Sequence, residues 1–339
     1  MSLPVSGGGA VMAPGRLVDA HGRVVNDLRV SVTPRCNFRC TYCDPLGMGA
    51  HEPPGTLTAE NFETILEAAA GLGMRSVRFT GGEPLLRKDL PRLVRAARDL
   101  PGVNDVAMTT NASALEKRLP ELLAAGLDRV NISLDAVDPE VFALATGGGD
   151  IAKVWRGIEA AEEAGLTPVK LNAVVLRGVN DSQIAGLAAL TRDRAFHVRY
   201  IEYMHLDNAA PGAYDARFMP GSEIRAAVEA AHGPLESVPT DPSAPARLFT
   251  VPGWPGRIGF INPVSEPFCT ACSRMRVTSD GMLRPCLLND REFDLKPALL
   301  ADDPIAAVQD VFLVAAHRKV ASGLTTPVER TRTMVAIGG

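Results

Sequence analysis

The six cysteines of this 339-residue chain fall into two tight sets. Cys36, Cys40 and Cys43 read C-x-x-x-C-x-x-C; Cys269 and Cys272 read C-x-x-C, with Cys286 after thirteen further residues. Each set offers three thiolates. A structural zinc ion normally takes four N or S ligands from the protein. A four-iron cube on three thiolates instead keeps one iron open, and an open iron can hold a ligand that does chemistry. The spacing therefore predicts two such clusters.

Two plainer readings compete. Three disulfides would use all six cysteines, but such frameworks belong to short, secreted, cysteine-dense chains. The opening residues, Met1 to Ala20, lack a basic segment followed by an apolar one, so they do not read as a secretory signal. Zinc at the second set is favoured by the C-x-x-C half-site, yet no histidine lies near Cys286 to complete it. The six histidines are scattered and read as ordinary surface or core residues.

Composition narrows the function further. Apolar residues make up 46% and charged residues 22%, as in soluble globular proteins, and the length allows one large domain or two ordinary ones. The net charge of −4 supplies no global basic field. Nucleic acid is therefore not an expected partner, and an anionic substrate needs a local arginine cluster. No segment approaches about 18 uninterrupted apolar residues, so no membrane span is expected and the chain reads as cytoplasmic. The Gly7 to Gly9 run marks an N-terminal extension, residues 1–27, expected to be partly mobile.

The elements that must position the cysteines alternate from Leu28 to Met204. Strands are predicted at Leu28–Thr33, Ser76–Phe79, Asp105–Thr109, Arg129–Leu134, Val169–Val175 and His197–Tyr203. Helical periods lie between them. Phe62, Ile65, Leu66, Ala69 and Leu72 share one face, with Thr58 as N-cap. Ile151, Val154, Trp155 and Ile158 repeat the pattern and stop at Gly165, and Ile184, Leu187 and Leu190 mark another helix. Six βα units with short connections imply a parallel sheet, open or curled into an incomplete barrel, with chemistry at the carboxyl ends of its strands. Cys36 to Cys43 follow the first strand, and Thr80-Gly81-Gly82-Glu83-Pro84 follows the second, so both reach one rim. After Met204 the texture changes to Pro, Gly and short strands, with helices near Ser222–Ala231 and Ile305–His317. The domains are thus expected as 28–204, the parallel βα region, and 205–339, a smaller appended region carrying the second cysteine set.

With Tyr42 between the last two cysteines and Gly81-Gly82-Glu83-Pro84 one unit later, the sequence resembles the radical S-adenosylmethionine (SAM) enzymes. An open iron can chelate the amino and carboxylate groups of SAM, two glycines let backbone approach it, and Glu83 can accept hydrogen bonds from its ammonium. The match runs from Arg29 to Gly339 and is to the GTP 3′,8-cyclase family, which opens molybdenum cofactor biosynthesis. It rests on the stretches 28–33 and 35–43, on Arg78, on Thr109-Thr110-Asn111 and on Asn131-Ile132-Ser133-Leu134-Asp135. It continues through Lys170, Arg199 to Met204, Phe268 to Arg276, Gly281, Cys286-Leu287 and the terminal Ile337-Gly338-Gly339.

The resemblance implies an incomplete (β/α)6 parallel barrel and two 4Fe-4S clusters. SAM would be held on the first by Tyr42, Gly82, Glu83, Ser133 and Met204. It assigns GTP to Arg29, Arg78, Thr109, Lys170, Arg274 and Arg276, and a catalytic part to Arg274, Arg276, Gly338 and Gly339. Five cationic side chains converging on a triphosphate make physical sense without the family. In the implied reaction a 5′-deoxyadenosyl radical removes the ribose 3′ hydrogen and the carbon radical attacks guanine C8. The product is 3′,8-cyclo-7,8-dihydroguanosine 5′-triphosphate. Implied partners are a low-potential electron donor and, as next enzyme, cyclic pyranopterin monophosphate synthase; a monomer or a homodimer is expected. Asp135 and Glu202 read as structural hydrogen-bonding partners.

The chain departs from the family pattern at Pro34, Asp44 and Ala112, none of which removes a ligand. A peptide-modifying radical SAM protein would carry more C-terminal cysteines and lack the Arg274/Arg276 pair. A non-catalytic iron–sulfur or zinc carrier would have no need of Gly81-Gly82-Glu83-Pro84.

Overall fold

The computed structural model describes residues 15–45, 47, 49, 55–204, 206, 213–324 and 332–338. Six strands form its centre: β1 (Asp27–Ser31), β2 (Ser76–Thr80), β3 (Asp105–Thr110), β4 (Arg129–Ser133), β5 (Lys170–Val175) and β6 (His197–Glu202). Each lies within two residues of its expected bounds. All six begin on a polar residue and then alternate, as in Asp27-Leu28-Arg29-Val30-Ser31 and Lys170-Leu171-Asn172-Ala173. Period two sends successive side chains to opposite faces. The second and fourth residues, such as Leu28, Val30, Val77, Phe79, Val130 and Ile132, are at most 2% exposed and pack under the helices. Removing each such side chain from water contributes about 1.5–3 kcal/mol. The first and third residues face inward and are polar except for Ala107 of β3. The barrel interior is therefore a polar surface made by the same strands that build the core.

The covering helices are α1 (Ala59–Gly71), α2 (Leu90–Asp99), α3 (Leu115–Ala124), α4 (Pro139–Thr146), α5 (Ile151–Glu163) and α6 (Ile184–Ala189). Thr58 caps α1 in a reciprocal capping box with Asn61, satisfying backbone N–H groups that the helix leaves unpaired. Asp138 caps α4 and Asp150 caps α5. Gly165, at φ +77°, follows the α5 C-cap and ends that helix.

Residues beyond the barrel join the same sheet at both edges. They form α7 (Ala213–Arg217), α8 (Gly221–His232), β7 (Glu236–Val238), β8 (Arg247–Thr250), β9 (Arg257–Ile261), β10 (Arg274–Val277), β11 (Met282–Arg284) and β12 (Phe293–Asp294). The helices α9 (Lys296–Leu299), α10 (Pro304–His317) and α11 (Met334–Ile337) complete the order. The sheet runs β12-β11-β10-β1-β2-β3-β4-β5-β6-β9-β8-β7. The eight strands from β10 to β9 are parallel, and β11, β12, β8 and β7 add antiparallel edges. Among the described residues β12 and β7 do not pair with each other, so the barrel is incomplete. The described residues beyond Met204 thus join the sheet at both ends, where the sequence suggests an appended piece.

Within the N-terminal extension, residues 15–26 are packed. Val18 bridges Val24, and the Leu17 N–H donates to the Leu72 carbonyl at 2.9 Å. Residues 1–14 lie outside the described residues.

Candidate active site

The first cysteine loop leaves β1 and is held by backbone. The Gly82 N–H donates to the Thr33 carbonyl at 2.7 Å and the Glu83 N–H to the Arg35 carbonyl at 2.6 Å. A Cβ at Gly82 would lie 2.2 Å from the Arg35 oxygen, and one at Gly81 would lie 2.4 Å from the Thr33 oxygen. Only glycine lets the two turns meet, which explains why a glycine pair follows β2. Glu83 is 1% exposed, and its carboxylate accepts from Leu85 N–H, the Thr110 hydroxyl and Asn111 N–H. Burial pushes this carboxyl up to about 7 against those three donors. The Tyr42 hydroxyl donates to Asp135 at 2.8 Å, while the other Asp135 oxygen accepts Val174 N–H. Asn111 donates to Asn37 inside the loop at 2.9 Å.

The second set lies across the interior. Cys269 opens a 3₁₀ turn (Cys269–Ala271), Cys272 precedes β10 and Cys286 follows β11. Burial pushes the Cys272 thiol up, but Lys319, Arg274, the Arg274 N–H and Arg23 outweigh it and leave the thiol below its ordinary range. All six cysteines are half-buried and none is in a disulfide, so the disulfide framework does not form.

Between the sets lies a cavity of about 300 Å³, within the range of small-molecule sites. It is lined by all six cysteines and by Arg29, Arg78, Arg199, Arg274 and Arg276. Strand register builds this array: Arg276 of β10, Arg29 of β1 and Arg78 of β2 stand side by side, each the third residue of its strand. The Nε–H groups of Arg29 and Arg78 are buried with no acceptor among the described residues. Burial and the neighbouring Arg78 lower Arg29 to about 9; burial, Arg129 and Arg199 lower Arg78 to about 10. Unpartnered buried donors crowded by like charge create a strong demand for an anion. Arg274 is more engaged, 3.5 Å from Asp27, bonded to the Ser243 carbonyl and stacked over Phe268.

Tyr42, Gly82, Glu83, Thr109, Ser133 and Met204 line the same cavity. Lys170 faces the interior lower down and does not; burial and the Arg129, Arg199 and Arg78 charges bring it to about 8. Gly338 is buried at the rim of β1 and β2, and its carbonyl accepts from Arg276 at 2.6 Å. A Cβ there would lie 2.8 Å from that of Ser31. Gly339 lies outside the described residues. Asp135 and Glu202 are structural partners as expected: Glu202 accepts from Gly221, Val264 and Ser265 backbone N–H groups.

One cavity cation was not singled out from sequence. Arg199, on β6, donates to Asn172 at 2.8 Å and Asn131 at 2.7 Å. Gly259 of β9 gives it room, since a Cβ there would lie 2.9 Å from the Arg199 side chain. The alternation was the available signal, because Arg199 is third in β6 as Arg29 and Arg78 are third in β1 and β2.

The donor chemistry fits two iron–sulfur clusters. Each set presents three thiols to an open cavity, where a structural zinc site would be closed by a fourth donor. Among the described residues no three His, Cys, Asp or Glu side chains close around a single ion. No described helix is long and apolar enough to cross a membrane.

Known proteins share this plan. Residues 30–191 match the radical SAM superfamily, and residues 196–323 match the family described as Molybdenum Cofactor Synthesis C. A GTP 3′,8-cyclase of Moorella thermoacetica is 41% identical over 326 residues, covering 95% of this chain and 99% of its own. Another, from Pelotomaculum thermopropionicum, is 44% identical over 285 residues, covering 83% and 87% respectively. In fold, Streptococcus suis SuiB bound to S-adenosylmethionine aligns with a TM-score of 0.56 at 18% identity, over 85% of this chain and 69% of that one. Native anSMEcpe with bound AdoMet aligns at 0.54 and 16% identity, over 82% and 81%. With both family models matched in order and relatives this similar over most of their length, the chain belongs to the GTP 3′,8-cyclase family of radical SAM proteins.

Proposed function

We propose that this protein converts GTP to 3′,8-cyclo-7,8-dihydroguanosine 5′-triphosphate, the first step of molybdenum cofactor biosynthesis. The carrying observation is the guanidinium array of Arg276, Arg29 and Arg78 set between two three-cysteine sets, with the buried Nε–H groups of Arg29 and Arg78 lacking acceptors among the described residues. Cys36, Cys40 and Cys43 hold one 4Fe-4S cluster, and Cys269, Cys272 and Cys286 hold the other. With SAM bound, the first cluster would supply one electron, and the SAM it cleaves would supply the hydrogen-abstracting group.

The remaining work belongs to the chain. Tyr42, Gly82, Ser133 and Met204 contact SAM, and Glu83 braces the turn beneath it while presenting an oxygen to the ammonium. Arg29, Arg78, Arg199, Arg274 and Arg276 grip the triphosphate, with Thr109 lining the same cavity and Lys170 below them. A dense anion held by several charge-assisted bonds cannot rotate freely, which keeps the ribose in reach of the abstracting centre. The Gly338 carbonyl orients Arg276, and Gly338 brings side-chain-free backbone next to the nucleotide. The protein works in the cytoplasm as a monomer or homodimer. It receives electrons from a low-potential donor, and its product passes to cyclic pyranopterin monophosphate synthase. The test is anaerobic: reconstituted protein, reductant, SAM and GTP, with mass spectrometry of the nucleotide. A cyclised triphosphate isomeric with GTP is expected; SAM cleavage with unaltered GTP refutes the reading.

A further inference from the structure

After α10 the chain runs past both arms of the second cysteine set. Lys319 is 4% exposed, and its Nζ donates to the Arg274 carbonyl at 2.7 Å and to the Pro285 carbonyl. Arg274 stands two residues beyond Cys272, and Pro285 immediately precedes Cys286. One ammonium thus ties together two arms that are separate in sequence. Arg23 arrives from the N-terminal hairpin, 8% exposed and paired with Asp19 at 2.6 Å. It donates to the Cys269 carbonyl at 2.7 Å, to Ala321 at 3.0 Å and to Val320 at 2.7 Å. His21 Nε2 meets the Lys319 carbonyl at 3.0 Å, closing the hairpin onto the same segment. Each cysteine of the set therefore has a nearby carbonyl held by a buried cation.

The charge calls for its own explanation. A buried ammonium is costly without a counter-charge, and among the described residues Lys319 makes no ion pair with a carboxylate, only bonds to backbone carbonyls. The acidic groups its charge acts on are the Cys272 and Cys286 thiols, whose ionised form it favours. We propose that Lys319 and Arg23 form a cationic clasp that fixes the three cysteines of the second set and balances their charge. Lys319 is then the positioning residue that sets the reduction potential of the group they hold. This rests on reading that set as an iron–sulfur site. Reduction adds negative charge to such a centre, so a neighbouring cation favours the reduced form.

The experiment is an EPR-monitored redox titration, with iron per chain, in full-length protein carrying Cys36→Ala, Cys40→Ala and Cys43→Ala. Lys319→Met keeps the length and removes charge and donors. It should lower the reduction equilibrium at least tenfold, a fall of about 59 mV for a one-electron couple. Lys319→Gln keeps a donor, loses only the charge, and should fall likewise; it carries the test should the Met variant not fold. Lys319→Arg should stay within about threefold of the parent. Loss of the iron in the Met and Gln variants with retention in the Arg variant also supports the clasp. Parental iron and potential in either uncharged variant overturn it, as does an equal fall in Lys319→Arg. A parent protein without iron at this set instead refutes the functional reading itself.

Discussion

The two cysteine sets offer the same three thiols to one cavity in opposite electrostatic settings. The first is held by backbone-to-backbone bonds and surrounded by carboxylates. Burial, then Glu83 and Asp44, push the Cys36 thiol up to about 11, and burial with Asp135 holds Cys40 well above its ordinary range. The second is held by Lys319 and Arg23; the cations around Cys272 reverse the effect of burial, while at Cys286 burial outweighs the opposing pull of Lys319 and the thiol stays raised. The difference teaches that ligand type does not fix the chemistry of a site. Carboxylates near the first set disfavour added electrons and so favour giving them away. Cations near the second favour negative charge, whether it comes from thiolates, from an electron or from a bound nucleotide.

The sharpest way to break this comparison is to remove one set at a time. Replacing Cys36, Cys40 and Cys43 with Ala should abolish SAM cleavage and leave about half the iron, as a self-contained second site requires. Replacing Cys269, Cys272 and Cys286 should keep SAM cleavage and abolish conversion of GTP. Iron analysis and 5′-deoxyadenosine release measure both. Loss of all iron in either variant would show that the sets are not independent.

Next in size are the cavity cations. Arg29→Ala, Arg78→Ala or Arg276→Ala should each weaken GTP binding roughly ten- to hundredfold, about 1.5–3 kcal/mol per charge-assisted contact. Equilibrium binding under anaerobic conditions reads this directly, and parental affinity would remove that residue from the nucleotide site. Lys170 adds a pH signature. It is cationic below its value of about 8 and loses that charge as pH rises through it, so GTP affinity should weaken above pH 8. Lys170→Met should flatten that dependence.

A subtler test reverses one sign at the first set. Asp44 is 2% exposed and accepts the Gly49 N–H at 2.7 Å. Asp44→Asn keeps an acceptor and removes the charge, so the first centre should become easier to reduce, by about tenfold or ~59 mV. Lys319→Met moves the second centre the other way. Shifts of the same sign at both sites would end the electrostatic contrast.

Much of this was legible from residues. The cysteine spacings, the glycine pair after β2 and the six barrel strands all announced themselves, because each is a local pattern. Arg29 and Arg78 came only with the family resemblance, and Arg199 was passed over because its strand was read for apolar content and not for alternation. The edges were not legible. β7 to β12 are two to five residues long, and the pairing of β10 with β1 and of β9 with β6 is a tertiary matter that no periodicity encodes. Arg23 and Lys319 escaped for a stronger reason: their partners lie up to 298 residues away, and buried cations on backbone carbonyls leave no sequence motif.

The smallest lever lies in the backbone of the first region. Ala112 follows β3 at φ +59°, in the left-handed region that favours glycine. Its turn matters, since Asn111 before it donates to both Glu83 and Asn37, and the Ala112 N–H donates to the Thr110 hydroxyl at 2.9 Å. A Cβ in that conformation costs roughly 1–2 kcal/mol. Against this, the Ala112 methyl is fully buried, worth about 0.8 kcal/mol, and glycine would add about 0.4–1 kcal/mol of unfolded-state entropy. These contributions nearly cancel, so Ala112→Gly should change the free energy of unfolding by no more than about 1 kcal/mol. Ala112→Val, β-branched at positive φ, should cost about 1–3 kcal/mol. Denaturant unfolding measures both. The comparison between the two regions adds a second readout: because the strained turn braces only the first loop, Ala112→Val should loosen the iron of the first set and leave that of the second intact. Equal loss at both sets would show that backbone strain and cationic clasp belong to one cooperative unit.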